Sequence, residues 1–330
     1  MKYNKKIIIG ISIILLVAIL LFPFIFKDRT KISPSPTGPY LSEIDYTEIF
    51  FNNNDLRLSG MLLLPDGEED FPVAVIIHGS GTSKRDNRWY LTIAKHLQEN
   101  GIAVLLPDKR GSEKSEGNWG NSTFMDLAGD TISAIEFVRN QKQFDYSYIG
   151  VIGISQGGWI APLVANRSED VSFVVSISGA AVTIEEQVLH ESVNYIIDSG
   201  TYRFLAKLIA PIFVNIWKKG EFGSKIAGFD PIPFWKNVNV PVFAALGEND
   251  KNVPVEESVK RLRELNKDIT IKVYPEGGHG ILDSDTHEVR DDFLSDLTEF
   301  IENAGKINIE KKGFKNCPRL FVLMYRICSM

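Results

Sequence analysis

The sequence predicts an α/β protein with a doubly wound, mostly parallel sheet. Short β-branched runs, such as 72–79 and 102–108, alternate with stretches of helical spacing, such as 88–101. Such regular alternation is typical of parallel strands that are joined by covering helices. Because ligands of these sheets bind beyond the carboxyl ends of the strands, we expect the functional site at that edge.

The elements follow one another in the order that this architecture requires. DLRLSGMLLLP (55–65) alternates as a strand should, and PVAVIIHG (72–79) is a continuous apolar run typical of a buried parallel strand. Further strands are predicted at 102–108, 148–155, 171–179, 240–248 and 270–277. Helices are predicted at 88–101, 123–141, 157–168, 254–266 and 288–304.

Residues 181–236 interrupt this alternation with helical sequence that is rich in aromatic and aliphatic residues. An insertion on the carboxyl-end side of the sheet predicts a helical cap over a substrate pocket. The alternative is an enlarged connection that does not touch substrate. Its aromatic residues favour an apolar acyl or alkyl group, or else serve packing: Phe204, Phe213, Trp217, Phe234 and Trp235. Trp159 faces either the pocket or the core.

The N-terminal segment from Ile7 to Phe26 contains no charged residue and is long enough to span a hydrocarbon layer as a helix. It lacks the small residues of a cleavage site, which favours an uncleaved signal anchor over a cleaved signal peptide. The lysines before it favour a cytoplasmic N-terminus. The sequence therefore predicts a single-pass protein of the bacterial cell membrane with an extracytoplasmic body, or alternatively a secreted one.

Four segments are predicted: an anchor with a basic flank (1–31), a proline-rich spacer (32–44), a folded domain (45–304) and a basic, apolar tail (305–330). The tail is either a membrane-surface segment or a poorly ordered terminus. The first and last segments each carry a net charge of +5, so the whole-chain value of −6 leaves −16 for residues 32–304. An acidic body of this size repels phosphate backbones, so no nucleic-acid partner is expected.

The two cysteines, Cys317 and Cys328, both lie in the tail. The core therefore has no disulfide framework, and no cysteine-containing metal site is expected.

A motif at the end of the strand 148–155 indicates a nucleophile. Gly153-Ile154-Ser155-Gln156-Gly157 matches G-x-S-x-G at a strand-to-helix junction, which is the setting that this motif requires. The turn is sharp, so the flanking glycines, Gly153 and Gly157, support it by leaving space. The turn exposes the Ser155 hydroxyl beside a helix N-terminus, which favours negative charge.

A serine nucleophile needs a base, and the base needs an acid that orients it. In this architecture the acid and then the histidine follow the serine at later strand ends. His279 follows the strand 270–277 and is the predicted base, since the other histidines are less suitably placed. Asp250 follows the strand 240–248 and is favoured over Glu248 because it lies further past the strand end.

The reaction also needs donors for an oxyanion. The backbone N–H of Gln156 is the first predicted donor. The second is the N–H of Ser80, with Gly81 as the alternative, since His78-Gly79-Ser80-Gly81 follows a buried strand and its glycines allow close approach. His78 and Gly79 are assigned a supporting role.

On these residues the chain resembles the α/β-hydrolase superfamily, in particular the bacterial esterase and dienelactone-hydrolase-like branch related to the catalytic domains of prolyl oligopeptidases. The resemblance covers about 45–304 and rests on five motifs: HGSG (78–81), PDKRGSEKSEG (107–117), GISQGG (153–158), GENDKNVP (247–254) and GGHG (277–280). Members of this branch often have D-x-R-G-x-G-x-S in the second motif. Glu113 stands at its second glycine here, and an Asp108–Arg110 ion pair is expected to brace this loop.

The resemblance implies the α/β-hydrolase fold and a serine hydrolase mechanism. Ser155 would attack an acyl carbonyl, His279 would act as base and then acid, and Asp250 would fix the histidine tautomer. Water would then release the acyl group, with no metal and no organic cofactor.

A carboxylic ester is the first choice of substrate, because the prolyl-peptidase relatives carry a large propeller that is not found in this sequence. The expected partner is then a small-molecule acyl substrate. Peptidase, amidase, thioesterase and acyltransferase activity remain alternatives, as does a membrane-tethered binding protein without turnover. The natural substrate and any oligomeric partner are left open.

Overall fold

The computed structural model describes residues 9–17, 35–67, 70–265 and 267–315, with side chains up to residue 305. Eight strands form one sheet among these residues: β1 (Thr47–Asn53), β2 (Leu56–Leu63), β3 (Phe71–Ile77), β4 (Ala103–Pro107), β5 (Tyr146–Ile154), β6 (Val171–Ile177), β7 (Val242–Gly247) and β8 (Ile269–Tyr274). Their spatial order is β1-β2-β4-β3-β5-β6-β7-β8. β1 and β2 run antiparallel to their neighbours, and the other strands are parallel to one another.

Ten α-helices are described: α1 (9–17), α2 (Arg88–Glu99), α3 (Phe124–Arg139), α4 (Gly157–Arg167), α5 (Ile184–Asp198), α6 (Arg203–Trp217), α7 (Glu221–Ile226), α8 (Ile232–Asn237), α9 (Val255–Glu264) and α10 (Asp291–Lys315). The helices α2 and α10 pack on one face of the sheet. The helices α3, α4 and α9 pack on the other face. Both faces of the central strands are therefore buried, which explains their continuous apolar sequences.

Side-chain caps set the start of several helices. Asn87 accepts a hydrogen bond from the Trp89 N–H at the start of α2. Thr123 forms a capping box with Asp126 at α3, and Thr183 forms one with Glu186 at α5. Each cap supplies acceptors for backbone N–H groups that have no partner inside the helix.

The predicted α/β-hydrolase sheet agrees with the structure, whereas β1 has no counterpart among the predicted strands. Its sequence, TEIFFNN, mixes aromatic and polar residues at the edge of the sheet. It pairs with β2 in antiparallel register from Thr47↔Leu62 to Asn53↔Leu56. The sheet is thus extended by one edge strand beyond those that the sequence pattern indicates.

The predicted insertion 181–236 contains α5 to α8, between β6 and β7. The helices α5 and α6 pack against each other around a small separate cluster formed by Ile196, Ala206 and Ala210. In contrast, Ile226 of α7 and Trp235 of α8 belong to the main core. The insertion therefore has one part that is fixed to the sheet layer and one part that largely packs on itself.

The prediction of an N-terminal transmembrane helix is the part of the fold prediction that is wrong. Across the described residues, no helix is long and apolar enough to cross a membrane. Of the predicted span 7–26, the structure describes residues 9–17, which are helical. Residues 7–8 and 18–26 lie outside the described part, as does the end of the tail from residue 316. The extracytoplasmic location stays a prediction.

Candidate active site

Ser155 lies at the sharp turn between β5 and α4, with a φ of +54°. A left-handed backbone is strained for a residue other than glycine. The turn is held by the Ser155 N–H, which donates to the Ile177 carbonyl at 2.8 Å, and by the Gly158 N–H, which donates to the Ser155 carbonyl at 2.9 Å. This arrangement projects the Ser155 hydroxyl beyond the carboxyl end of β5.

The glycines on either side of Ser155 are required by close backbone contacts. A Cβ atom at Gly153 would lie 2.2 Å from the carbonyl oxygen of Gly157. One at Gly157 would lie 2.2 Å from the carbonyl oxygen of Ile77. Any larger residue would push α4 away from β3 and β5, so both motif-supporting glycines act through sterics.

The structure brings the three predicted catalytic residues together. His279 Nε2 lies 2.9 Å from Ser155 Oγ, and His279 Nδ1 lies 2.7 Å from Asp250 Oδ2. Asp250 is held in turn, because its Oδ1 accepts hydrogen bonds from the N–H groups of Asn252 at 2.8 Å and Val253 at 3.1 Å. With Asp250 accepting from Nδ1–H, Nε2 is left to accept the proton of the serine hydroxyl.

The loop 78–81 packs directly against the nucleophile. A Cβ atom at Gly79 would lie 3.2 Å from Ser155 Cβ, and the Gly79 N–H donates to Tyr90 Oη at 2.7 Å. By contrast, the N–H groups of Ser80 and Gln156 make no hydrogen bond with another described residue. Both residues line the same cavity as Ser155, as does Gly81.

The side chain of His78, the first residue of this loop, packs inside the protein. Its ring stacks on Tyr90 with 4.7 Å between the ring centroids. Burial, together with the charge of Lys109, lowers the pKa of His78 to about 3. The imidazole is therefore neutral at physiological pH and supports the loop from inside, as its predicted supporting role requires.

Lys109 is a buried cation near the site that the sequence patterns do not indicate. Its Nζ donates to the carbonyl oxygens of Gly79 and Gly81, the latter at 2.9 Å. The Gly79 carbonyl belongs to the peptide group that carries the Ser80 N–H, so Lys109 holds the peptide of the proposed donor and also the Gly81–Thr82 peptide of the same loop. The only signal in the sequence is its position directly after Asp108, at the carboxyl end of β4.

Burial lowers the pKa of Lys109 from 10.5 to about 7. Between these values the unfolded chain binds more protons than the folded protein, so the free energy of unfolding should rise with pH, by up to ~1.4 kcal/mol per pH unit. Lys109→Met should remove this rise. Urea unfolding of both proteins from about pH 7 to about pH 9 measures it, and parallel pH profiles would contradict the prediction.

The loop after Asp108 is braced differently from the expected Asp108–Arg110 pair. Asp108 instead pairs with Arg85, whose Nη2 lies 2.6 Å from Asp108 Oδ2, while Arg110 Nε lies 2.6 Å from Asp130 Oδ2. The neighbouring side chains of Asp108 and Arg110 therefore pair with different partners, and their loop is connected to two separate parts of the chain. Glu113 replaces the family's glycine yet adopts a left-handed φ of +52°.

A cavity of about 690 Å³ separates Ser155 from the cap helices. Its apolar wall includes Trp119, Trp159, Phe213, Trp217, Phe222 and Ile226. Of the five aromatic residues predicted in the insertion, only Phe213 and Trp217 line it. Trp235 is buried and Phe234 packs against the same core, while Phe204 is 69% exposed. Trp159 belongs to both the core and the cavity wall.

The cap helix α5 is tied to the loop that carries Asp250. His190 Nε2 lies 3.5 Å from the carbonyl oxygen of Asp250, and Asn194 donates to the carbonyl of Lys251 at 2.8 Å. Arg261 of α9 pairs with Glu186 at 2.7 Å and lowers the pKa of that glutamate to about 2. Contacts from α5 therefore connect the wall of the cavity to the loop that carries Asp250, the residue proposed to orient His279.

Two family models match parts of the chain. The model described as BAAT / acyl-CoA thioester hydrolase C terminal matches residues 132–283. The model described as X-Pro dipeptidyl-peptidase (S15 family) matches residues 54–203. The first match contains Ser155, Asp250 and His279.

Curated relatives carry hydrolase names. Esterase EstD of Thermotoga maritima is 26% identical over 68% of this chain and 58% of its own length. The bifunctional esterase/perhydrolase DCH of Acinetobacter calcoaceticus is 26% identical over 69% of this chain and 92% of its own. The human acylamino-acid-releasing enzyme is 23% identical, and the match spans only 33% of its length.

Solved structures share the fold over most of the chain. The Pyrococcus furiosus esterase Pf2001 superposes with a TM-score of 0.60 and 21% identity, covering 82% of this chain and 96% of that one. The chain has the α/β-hydrolase fold. Est1E from Butyrivibrio proteoclasticus, whose structure has ferulic acid bound, superposes on this α/β-hydrolase with a TM-score of 0.56 and 19% identity, over 80% and 99% of the two chains.

The relatives of this α/β-hydrolase confirm the predicted resemblance and place the chain among hydrolases. The roles of the individual site residues stay predictions. Among the described residues, no group of three or more His, Cys, Asp or Glu side chains could hold a metal ion.

Proposed function

We propose that this α/β-hydrolase cleaves carboxylic esters of small molecules through a covalent acyl-enzyme on Ser155. The observation that carries the proposal is the continuous hydrogen-bonded series from Asp250 Oδ2 through His279 to Ser155 Oγ. This series has the geometry in which a histidine takes the proton of a serine hydroxyl.

In the proposed first step, Ser155 Oγ attacks the ester carbonyl and its proton passes to His279 Nε2. The N–H groups of Gln156 and Ser80 stabilise the tetrahedral oxyanion. Collapse of this intermediate breaks the ester bond, and His279 gives its proton to the departing alcohol. Water, deprotonated by His279, then attacks the acyl-enzyme and releases the carboxylic acid. Asp250 accepts from Nδ1–H throughout and stabilises the imidazolium.

Two features support an ester with an apolar part. EstD and DCH carry esterase names and are similar to the chain over about two thirds of its length. The cavity wall beside Ser155 is rich in aromatic side chains. Such a wall binds aliphatic or aromatic chains through burial of apolar surface.

Amide cleavage is the second candidate, and the similarity to acylamino-acid-releasing enzymes favours it. The same histidine can protonate an amine leaving group. An amide needs this protonation more than an activated ester does, so the two activities are separable by substrate.

The test uses the full chain and a fluorophosphonate probe. We expect the probe to label Ser155, identified by mass spectrometry of the labelled peptide, and to abolish turnover of p-nitrophenyl esters. Acyl chains of increasing length measure the depth of the cavity, and matched p-nitroanilides measure amide cleavage. A folded protein that neither reacts with the probe nor cleaves any ester would refute the proposed function. Anilide turnover equal to ester turnover would favour the second candidate.

A further inference from the structure

The cap helix α5 contributes an unpaired carboxylate to the cavity. Three charged side chains line the cavity: Glu191, Asp198 and Lys251. Lys251 Nζ lies 2.7 Å from Asp198 Oδ2, so these two side chains form an ion pair. No ion pair or hydrogen bond of the Glu191 side chain to another described residue is found. The described lining therefore has one negative charge that no protein cation balances.

The surroundings of Glu191 disfavour its negative charge. Glu191 is an exposed residue at the cavity wall, and partial desolvation of its carboxylate raises its pKa. Asp250 raises that pKa further, while His279 acts in the opposite direction. The carboxylate is therefore within electrostatic reach of the proposed acid and base, and a bound cation would favour its charged form.

Aromatic rings complete this arrangement. Trp119, Trp159 and Trp217 line the cavity that Glu191 and Gln156 border. Indole faces attract ammonium groups as well as apolar chains. An ammonium group on a short apolar chain therefore matches the Glu191 carboxylate and the aromatic wall together.

We propose that the cavity selects esters that carry a cationic ammonium group, with Glu191 as the counter-ion. The proposal rests on the proposed ester hydrolysis and specifies its substrate class. It places Glu191 as a specificity-determining residue that contacts substrate and takes no part in the bond-breaking steps. A carboxylate on the substrate would be rejected by the same residue through like-charge repulsion.

Isosteric ester pairs test the proposal on either side of the scissile bond. On the acyl side, p-nitrophenyl γ-(trimethylammonio)butyrate is compared with its neutral tert-butyl isostere. On the alcohol side, acetylcholine is compared with its tert-butyl isostere. We expect kcat/KM for the cationic ester of at least one pair to exceed that of its neutral isostere by roughly 10- to 100-fold.

In Glu191→Gln, which keeps the side-chain shape, this ratio should fall to near one. The matched control is Glu256→Gln, which neutralises an exposed glutamate of α9 outside the cavity and should retain the cationic preference. Thermal unfolding of each variant shows that it is folded. A wild-type ratio near one for both pairs, or an unchanged ratio in Glu191→Gln, would overturn the proposal.

A binding measurement separates this proposal from the proposed function. Calorimetric titration of Ser155→Ala with each ester reports affinity without turnover. Tighter binding of the cationic ester by Ser155→Ala, lost in Ser155→Ala/Glu191→Gln, supports the role of Glu191 even if wild type hydrolyses no ester. Hydrolysis of the neutral esters without any cationic preference leaves the proposed function standing and refutes the role of Glu191.

Discussion

Ser155→Ala is expected to lower kcat for p-nitrophenyl ester hydrolysis by about 10⁵-fold or more, and His279→Ala by a similar factor. The physical reason is that each variant removes one end of the same proton transfer. Because the two residues act as a unit, the double variant should be no slower than either single variant. The residual rate would come from substrate binding and the oxyanion donors alone.

Steady-state kinetics on purified variants measure these factors, with titration by fluorophosphonate to exclude traces of wild-type enzyme. Ser224→Ala removes a serine hydroxyl of the cap helix α7, where Ser224 Oγ donates to the Glu221 carbonyl, and it serves as the control. A double variant whose loss equals the product of the single losses would contradict the cooperative role of Ser155 and His279.

Asp250→Asn is expected to lower kcat by about 10⁴-fold. The amide can still accept from the N–H groups of Asn252 and Val253 through its Oδ1 atom, so the loop should remain folded. Its NH₂ group would face His279 Nδ1 and favour the tautomer with a proton on Nε2. That nitrogen could then no longer accept the proton of Ser155.

The matched control for this variant is Glu248→Gln, since Glu248 is the alternative acid near the same strand end and is exposed. Its kcat should stay within about threefold of wild type, as expected of a surface substitution. Kinetics and urea unfolding of both variants separate a catalytic from a structural effect. A stronger loss in Glu248→Gln than in Asp250→Asn would reverse the assignment of the acid.

The sequence predicts Ser155, Asp250 and His279 as the catalytic residues because each follows a recognisable strand of a parallel sheet. Parallel strands place their carboxyl ends at one edge, so residues that are far apart in sequence converge there. The alternation of buried strands and helices likewise predicts a parallel sheet, because parallel strands are joined by covering helices. Its edge strand β1 has a weaker pattern, since polar residues interrupt it.

The contacts that hold the site in place cannot be predicted from sequence patterns. Lys109 reaches the carbonyls of Gly79 and Gly81, and Tyr90 reaches the Gly79 N–H, across distances that no local spacing encodes. The Asp108 carboxylate was assigned to the neighbouring Arg110, but three-dimensional packing pairs it with Arg85. Such choices between competing cations depend on which side chain the fold brings within reach.

The membrane prediction failed for another reason. A run of apolar residues reports hydrophobicity along the chain, whereas a membrane span also requires a continuous helix of sufficient length. Across the described residues, no helix is long and apolar enough to meet that requirement.

The small hydrophobic cluster between α5 and α6 indicates that this helix pair is less stable than the sheet of the same domain. Ile196, Ala206 and Ala210 bury far less apolar surface than the clusters on the two sheet faces. The α5–α6 pair should therefore open as a sub-global unit, at a lower free energy than global unfolding, and show faster amide hydrogen exchange than β5. We then expect substrate to enter by local opening of the cap while Ser155, at the end of the internal strand β5, keeps its strained turn.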